Sequence, residues 1–104
     1  MKGGERLFLE EQRKRDRLQI LSDIVTVCRK PSRLTRVLRL ANAQYRFVSD
    51  ALGRLVDAGL LEAVQAERGG SRTVRMFSST ERGLRWRDLV VYVYEVVDER
   101  RIPN

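Results

Sequence analysis

The spacing of apolar residues in this sequence changes at Gly59 and changes back near Glu81. Before Gly59, apolar side chains recur every three or four residues, which predicts amphipathic helices. Two short apolar runs follow, residues 60–65 and 73–77, and the Gly69-Gly70 pair between them predicts the turn of a β-hairpin. Since 104 residues suffice for one ordinary domain, we expect one mainly α-helical domain with a single hairpin, an α+β fold.

The first two predicted helices are separated by a proline. Apolar residues at helical spacing place the first helix at residues 12–29, and Pro31 stops it. Ser32 is expected to cap the second helix by accepting a hydrogen bond from a backbone N–H group. Asn42, a residue that tolerates turn conformations, marks the end of that helix.

The third helix is predicted from about Gln44 to a C-terminal cap at Gly59. The last helix is expected to begin after a cap at Thr80 and to run over residues 81–100. Residues 89–94 are rich in β-branched and aromatic side chains, so propensity alone favours a strand there. We nevertheless predict a helix, because the polar residues on both sides follow a helical pattern.

The composition removes most of the groups that active sites use. The chain has no histidine and one cysteine, Cys28, so it lacks the commonest general base and cannot form a thiolate cluster for zinc. We therefore expect no enzymatic activity, no metal site and no cofactor, and the sequence shows no pattern typical of a small-molecule site. Residues 7–9 are too short an apolar run for a signal peptide, and no run could span a bilayer. A cytoplasmic location without membrane contact is expected.

The charge of the chain indicates its partner. Lysine and arginine number 21 against 14 acidic residues, for a net charge of +7 and a pI near 10.5. Such a protein usually meets a polyanion, with nucleic acid the first choice and an acidic membrane surface the second, unless the charge serves solubility alone. Residues 24–49 contain six basic residues and no acidic one, whereas residues 84–104 contain four of each. The positive field is therefore concentrated on the second and third helices.

Four segments of the sequence resemble a known family. They are residues 15–21 (RDRLQIL), 41–47 (ANAQYRF), 57–62 (DAGLLE) and 77–83 (FSSTERG). In this order they resemble winged-helix transcription regulators, and in particular the small dimeric winged-helix DNA-binding proteins of archaea. The resemblance implies a winged helix-turn-helix in which the hairpin is the wing, and a last helix that pairs in an antiparallel coiled coil. It also implies three parts: a flexible arm (1–12), a DNA-binding domain (13–80) and a dimerisation helix (81–104).

Three groups of residues are predicted to contact double-stranded DNA. In a helix-turn-helix the first helix crosses the backbone and the start of the second enters the major groove, while a wing can lie along the minor groove or the backbone. The groups are Arg33, Arg36 and Arg39 for phosphates, Gln44, Tyr45, Arg46 and Ser49 for base edges, and Arg68, Arg72 and Arg75 in the wing. The alternative is that these side chains form an ordinary solvated surface, with the Tyr45 ring packed beneath the turn.

The last helix is apolar around most of its circumference, which predicts a homodimer. We expect one side, with Leu89, Val93 and Val96, to cover the core of the domain. The other side would then be exposed unless a second copy covered it. The residues predicted for dimerisation are Trp86, Leu89, Val90, Val93, Tyr94 and Val97. The alternative is that all of them belong to the core of one chain.

Three functions remain open at this point. The sequence favours a homodimeric transcription regulator that reads a specific DNA site. An architectural protein that coats or bends DNA with little sequence preference would share the same charge pattern. A winged helix that serves only as a protein-interaction module is the third, and it would not bind DNA even at low salt.

Overall fold

A computed structural model describes residues 16–67, 69–70 and 72–101 of the chain. Within them the elements are α1 (Arg17–Val27), α2 (Leu34–Ala41), α3 (Tyr45–Asp57), β1 (Leu61–Glu67), β2 (Thr73–Ser79) and α4 (Glu81–Arg101). This order of three helices, a hairpin and a helix is that of a winged helix, so the predicted fold class is confirmed. The arm predicted for residues 1–12 lies outside the described residues.

Within the described residues α1 begins at Arg17, and residues 12–15 of the predicted helix lie outside them. Asp16 has an extended backbone, and its carboxylate accepts a hydrogen bond from the Gln19 N–H at 2.9 Å. The Gln19 side chain in turn accepts from the Asp16 N–H at 3.1 Å, which completes a capping box. This capping box fixes the start of α1 at Arg17, and apolar spacing carries no information about such a cap.

Ser32 does not cap α2, and that prediction was wrong. Arg33 occupies the N-cap position and makes no side-chain cap hydrogen bond. Ser32 instead forms a β-bridge with Phe77 of β2, with backbone N···O distances of 2.9 and 2.8 Å. This bridge holds Ser32 one residue ahead of the cap, where its hydroxyl donates to the Lys30 carbonyl at 2.6 Å. Asn42, in the left-handed region with φ 53°, ends α2 as predicted.

The hairpin forms where the change of spacing predicts it. The strands pair antiparallel from Leu61 opposite Ser79 to Glu67 opposite Thr73, so each is longer than the predicted run. Gly69 and Gly70 lie in the turn with φ of 61° and 68°, a region that favours glycine. The glycine pair therefore marks the turn, while apolar content underestimates the strands because the pairing continues into polar residues.

The core lies where α1, α2 and α3 meet the base of the hairpin. Its buried residues are Ile24, Val25, Cys28, Val37, Ala41, Val48, Ala51, Leu52, Leu55, Leu60, Leu61 and Phe77. Thr80 joins α4 to this unit, because its hydroxyl donates to the Gly59 carbonyl at 2.7 Å and accepts from the Gly83 N–H at 2.9 Å. Thr80 is thus the predicted cap of α4, and α4 is helical through residues 89–94 as expected.

The face that α4 turns toward the rest of the chain differs from the predicted one. Val90 is only 7% exposed, whereas Leu89 and Val93 are 65% and 52% exposed. Gly83 explains the rotation, since a Cβ there would lie 2.8 Å from the carbonyl carbon of Leu60. The helix therefore turns its Gly83 side inward, and the residues three and seven positions further along share that side.

Polar contacts reinforce the pairing of α4 with α1. The Tyr94 hydroxyl donates a hydrogen bond to the Asp16 carboxylate, which raises the pKa of Tyr94 to about 12. Two turns earlier on α4, the Arg87 guanidinium donates a hydrogen bond to the Thr26 hydroxyl at 3.0 Å. Tyr94, predicted as a dimerisation residue, therefore contacts its own chain.

Candidate nucleic-acid interface

The first turn of α3 presents three of the four residues predicted to reach base edges. Gln44 at the N-cap position and Arg46 are exposed, and Tyr45 is 61% exposed. The Tyr45 ring thus does not pack beneath the turn, and that alternative was wrong. Ser49, one turn further, is half-buried. α3 can take this position because Val48, with others on the same face, is fully buried in the core.

The three arginines of α2 have different surroundings. Arg39 is exposed in the last turn. Arg36 is half-buried and donates a hydrogen bond to the Ser32 hydroxyl at 3.0 Å, so part of its hydrogen-bonding capacity is used within the domain. Arg33 is half-buried at the start of the helix, where backbone N–H groups of the first turn lack a side-chain cap.

The α2 arginines and Arg46 form no ion pairs with other described residues. The two ion pairs formed between described side chains both lie on α4, Arg85 with Glu81 at 3.0 Å and Arg87 with Asp88 at 2.9 Å. No described acidic side chain therefore neutralises the α2 arginines or Arg46 in an ion pair. The outer surface of α3 is less basic further along, because Asp50 and Asp57 are exposed there.

The wing brings a second group of cations beside α2. Arg68 lies outside the described residues, and Arg72 and Arg75 are exposed. The Arg75 guanidinium lies 5.2 Å from the centre of the Phe77 ring, a cation–π contact that orients it. A cleft of about 500 Å³ separates the wing from α2 and is lined by Arg33, Gly69, Arg72 and Val74. Sequence reasoning named its two arginines separately but did not place them in one cleft, because no local pattern links residues so far apart.

The residues predicted for dimerisation do not all lie on one face. Val90 is buried and Trp86 packs against the core, so both serve their own chain. Leu89, Val93 and Val97 remain exposed. Tyr92, which was not predicted, is exposed on the same side. Its spacing from Leu89 could have revealed it, because residues three and four apart share a helix face.

Other kinds of site find little support in the described part of the chain. No group of three His, Cys, Asp or Glu side chains there could hold a metal ion. Cys28 is fully buried, and burial raises the pKa of its thiol to about 11 against the opposing effect of the Arg36 charge. A thiol that stays protonated at neutral pH is a poor nucleophile. Among the helices described, none combines the length and the apolar character that a membrane crossing requires.

Comparison with known proteins extends these observations. The sequence model of the winged helix-turn-helix family matches residues 14–97. No curated protein matches the sequence significantly. A solved PadR family transcriptional regulator from Eggerthella lenta is similar with a TM-score of 0.72 and 20% identity, over 94% of this chain and 88% of its own.

Two further structures show the same likeness. The protein smu.1704 from Streptococcus mutans gives a TM-score of 0.71 at 19% identity, covering 86% of this chain and 94% of its own. Sso10a-2, a DNA-binding protein from Sulfolobus solfataricus, gives 0.57 at 22% identity, covering 86% of this chain and 100% of its own. At these identities the likeness concerns the fold.

Proposed function

Because the chain belongs to the winged helix-turn-helix family, we propose that it is a homodimeric transcription regulator that binds double-stranded DNA. One observation carries the proposal: Gln44, Tyr45 and Arg46 are exposed at the start of α3, inside a stretch of 26 residues (24–49) without an acidic side chain. The solved relatives described as a transcriptional regulator and as a DNA-binding protein support it.

The first turn of α3 is the part of the fold that reads bases. In a helix-turn-helix this turn enters the major groove, where arginine pairs with guanine and glutamine with adenine. Arg46 and Gln44 are exposed in this turn, and Arg46 forms no ion pair with another described residue. We assign base recognition to these two residues, with Tyr45 and Ser49 beside them.

The arginines of α2 and the wing supply affinity for the backbone. Each phosphate that an arginine neutralises releases counterions, so binding weakens as salt rises. We assign such contacts to Arg39 and Arg33 on α2 and to Arg72 and Arg75 on the wing. The exposure of Arg39, Arg72 and Arg75 supports this assignment, as does the position of Arg33 in the cleft. Arg36 donates one of its N–H groups to the Ser32 hydroxyl, so only its remaining N–H groups can bind a phosphate.

The exposed stripe of α4 forms the dimer contact. Leu89, Tyr92, Val93 and Val97 recur at helical spacing and are exposed, with Val96 half-buried among them. Exposed apolar surface of this kind usually marks an interface, and two-fold pairing is the commonest way to cover it. The antiparallel coiled coil, the archaeal origin and the division of the chain at residues 80 and 81 remain predictions, as does the cytoplasmic location.

One observation favours a second candidate, the protein-interaction module. Asp50 and Asp57 are exposed on α3, where they would oppose an approaching phosphate backbone. A helix that carries both signs of charge can instead contact another protein. The first turn of α3 lacks acidic side chains, which is why we place DNA binding first.

Selection of bound fragments from random duplexes by the purified protein, at low and moderate salt, tests the proposal. A regulator should enrich one site, and anisotropy titrations should give about 10³-fold or more preference over scrambled duplex. Equal affinity for all duplexes would identify an architectural protein. No binding at low salt would reject the proposal and favour the interaction module.

A further inference from the structure

The cleft between α2 and the wing has walls from two distant parts of the chain. Arg33 stands at the N-cap position of α2, and Arg72 directly precedes β2. Gly69 and Val74, both on the wing, complete the lining around about 500 Å³. A Cβ at Gly69 would meet nothing within 4 Å, so the turn leaves the mouth of the cleft open.

Within the described residues, nothing neutralises the positive charge that lines this cleft. Among the described residues, neither the Arg33 nor the Arg72 side chain forms a hydrogen bond or an ion pair. The first turn of α2 adds backbone N–H groups without a side-chain cap, at the positive end of the helix dipole. The described residues that line the cleft include no acidic side chain.

This combination fits one class of ligand, the phosphodiester chain. A guanidinium binds phosphate oxygens in a fork geometry, and two of them on opposite walls can hold one strand between them. Arg72 and Gly69 are exposed, so the cleft opens to solvent along the wing and a continuous strand can pass through it. A small apolar ligand would lack partners here, since Val74 is the one large apolar side chain among the described residues of the lining.

We propose that one segment of a single sugar–phosphate strand lies in this cleft and is held jointly by Arg33 and Arg72. The inference rests on the proposed DNA-binding function and refines it. Arg72 then binds the backbone rather than base edges in the minor groove. The first turn of α2 and the wing form one site rather than two separate contacts, so the loss of either arginine weakens the contribution of the other.

A double-mutant cycle on duplex binding tests this coupling. We would measure the Kd of the full chain and of R33A, R72A and R33A/R72A by anisotropy on one duplex at several salt concentrations. Each single change should weaken binding and lower the salt slope by about one. The loss in the double variant should be smaller than the product of the two single losses by about threefold or more.

Arg39 provides the matched control, because it is exposed on α2 but does not line the cleft. In R39A/R72A the fold loss in affinity should equal the product of the two single losses, as expected for independent sites. R33K and R72K keep the charge and serve as conservative variants in case the alanine variants fail to fold. They should retain the salt slope but weaken binding, because lysine lacks the forked geometry of the guanidinium.

The outcomes separate the two proposals. If the unaltered chain binds no duplex at low salt, the proposed function fails and the cleft assignment fails with it. If the unaltered chain binds but the R33A/R72A losses simply multiply, only the shared site is overturned. A change in preference between A·T and G·C base pairs on R72A would place Arg72 in the minor groove, and it would also overturn the inference.

Discussion

Gly83 sets the position of α4, although it is not among the residues that we propose contact DNA. Its N–H is bonded to Thr80, and its Cα faces the backbone of Leu60 so closely that a Cβ would lie 2.8 Å from the Leu60 carbonyl carbon. Real Cβ atoms essentially never approach a backbone atom so closely. The absence of a side chain is therefore what allows α4 to follow the hairpin at this angle.

Replacement of Gly83 by alanine should destabilise the protein despite the higher helix propensity of alanine. Overpacking typically costs about 1–3 kcal/mol, which exceeds the roughly 1 kcal/mol that alanine gains over glycine within a helix. Urea unfolding measures the difference. Gly53→Ala is the control, since it lies in α3 with nothing within 4 Å of the new Cβ, and it should stabilise. Equal effects of the two changes would contradict the steric role of Gly83.

Cys28 should make stability depend on alkaline pH. Burial raises the pKa of its thiol to about 11 in the folded state, from an ordinary value of 9.0. The folded state thus holds the thiol proton more tightly. The associated stability is complete below pH 9 and is lost as the pH rises through 11, by a total of about 2–3 kcal/mol.

Urea unfolding at pH 8 and at pH 10.5 measures this effect. Between these pH values the free energy of unfolding should fall more for the native chain than for Cys28→Ala. The variant is less stable at pH 8 because of the cavity, but it has no thiol to titrate. This comparison cancels the titration of other groups, including Tyr94. A pH dependence that is the same in both proteins would contradict the prediction.

The helices, the hairpin and their order followed from the sequence because each depends on local signals. The helical spacing before Gly59, the glycine pair of the turn and the Thr80 cap all act within a few residues. The errors concern contacts between distant residues. Ser32 was assigned to a cap because its bridge to Phe77 depends on a strand 45 residues away.

The rotation of α4 was mispredicted for the same reason. Its sequence is apolar on nearly all sides, so periodicity alone could not show which side faces the core. The close approach of Gly83 to Leu60 decides it, and this approach is visible only in three dimensions. In the candidate site, the exposed start of α3 was predictable from its position after a turn, whereas the cleft between Arg33 and Arg72 was not.

Arg46 should select a base through α3. Replacement by alanine is expected to relax discrimination at one position of the preferred site by about 1–3 kcal/mol, because a guanidinium pairs with two acceptors of guanine. Anisotropy titrations on duplexes that vary one base pair at a time measure this. Arg54→Ala is the matched control, since Arg54 is exposed in the last turn of the same helix. An equal loss of affinity for every duplex would make Arg46 a backbone contact.

Arg39 and Arg36 should differ although both lie on α2. Arg39 is exposed, so Arg39→Ala should weaken binding to all duplexes and reduce the salt slope by about one. Arg36 donates to the Ser32 hydroxyl, so Arg36→Ala should also lower the free energy of unfolding, by about 1 kcal/mol. Salt-dependent titrations and urea unfolding of both variants measure this. A slope that is unchanged in Arg36→Ala would exclude Arg36 as a phosphate contact.

In the whole molecule, α4 has one face that packs on its own chain and a second apolar face that is exposed. The face with Val90 and Trp86 packs on the rest of its own chain, and the face with Leu89, Tyr92 and Val93 is apolar yet exposed. A helix that serves one small domain needs a single apolar stripe. The second stripe is therefore the surface that we propose binds a partner, and a second copy of the chain related by two-fold symmetry would cover it.

We expect the protein to be a dimer at micromolar concentration, with a mass near twice 12.1 kDa in light scattering. Val93→Glu should shift it to a monomer, because a carboxylate would be buried in the apolar contact. Val91→Glu is the matched control, since Val91 is exposed on α4 away from the stripe and its replacement should leave the dimer intact.

A dimer places two copies of α3 at a fixed distance, so the enriched site should be a palindrome with two half-sites. A native mass near 12.1 kDa would contradict the dimer, and the palindrome would lose its physical basis.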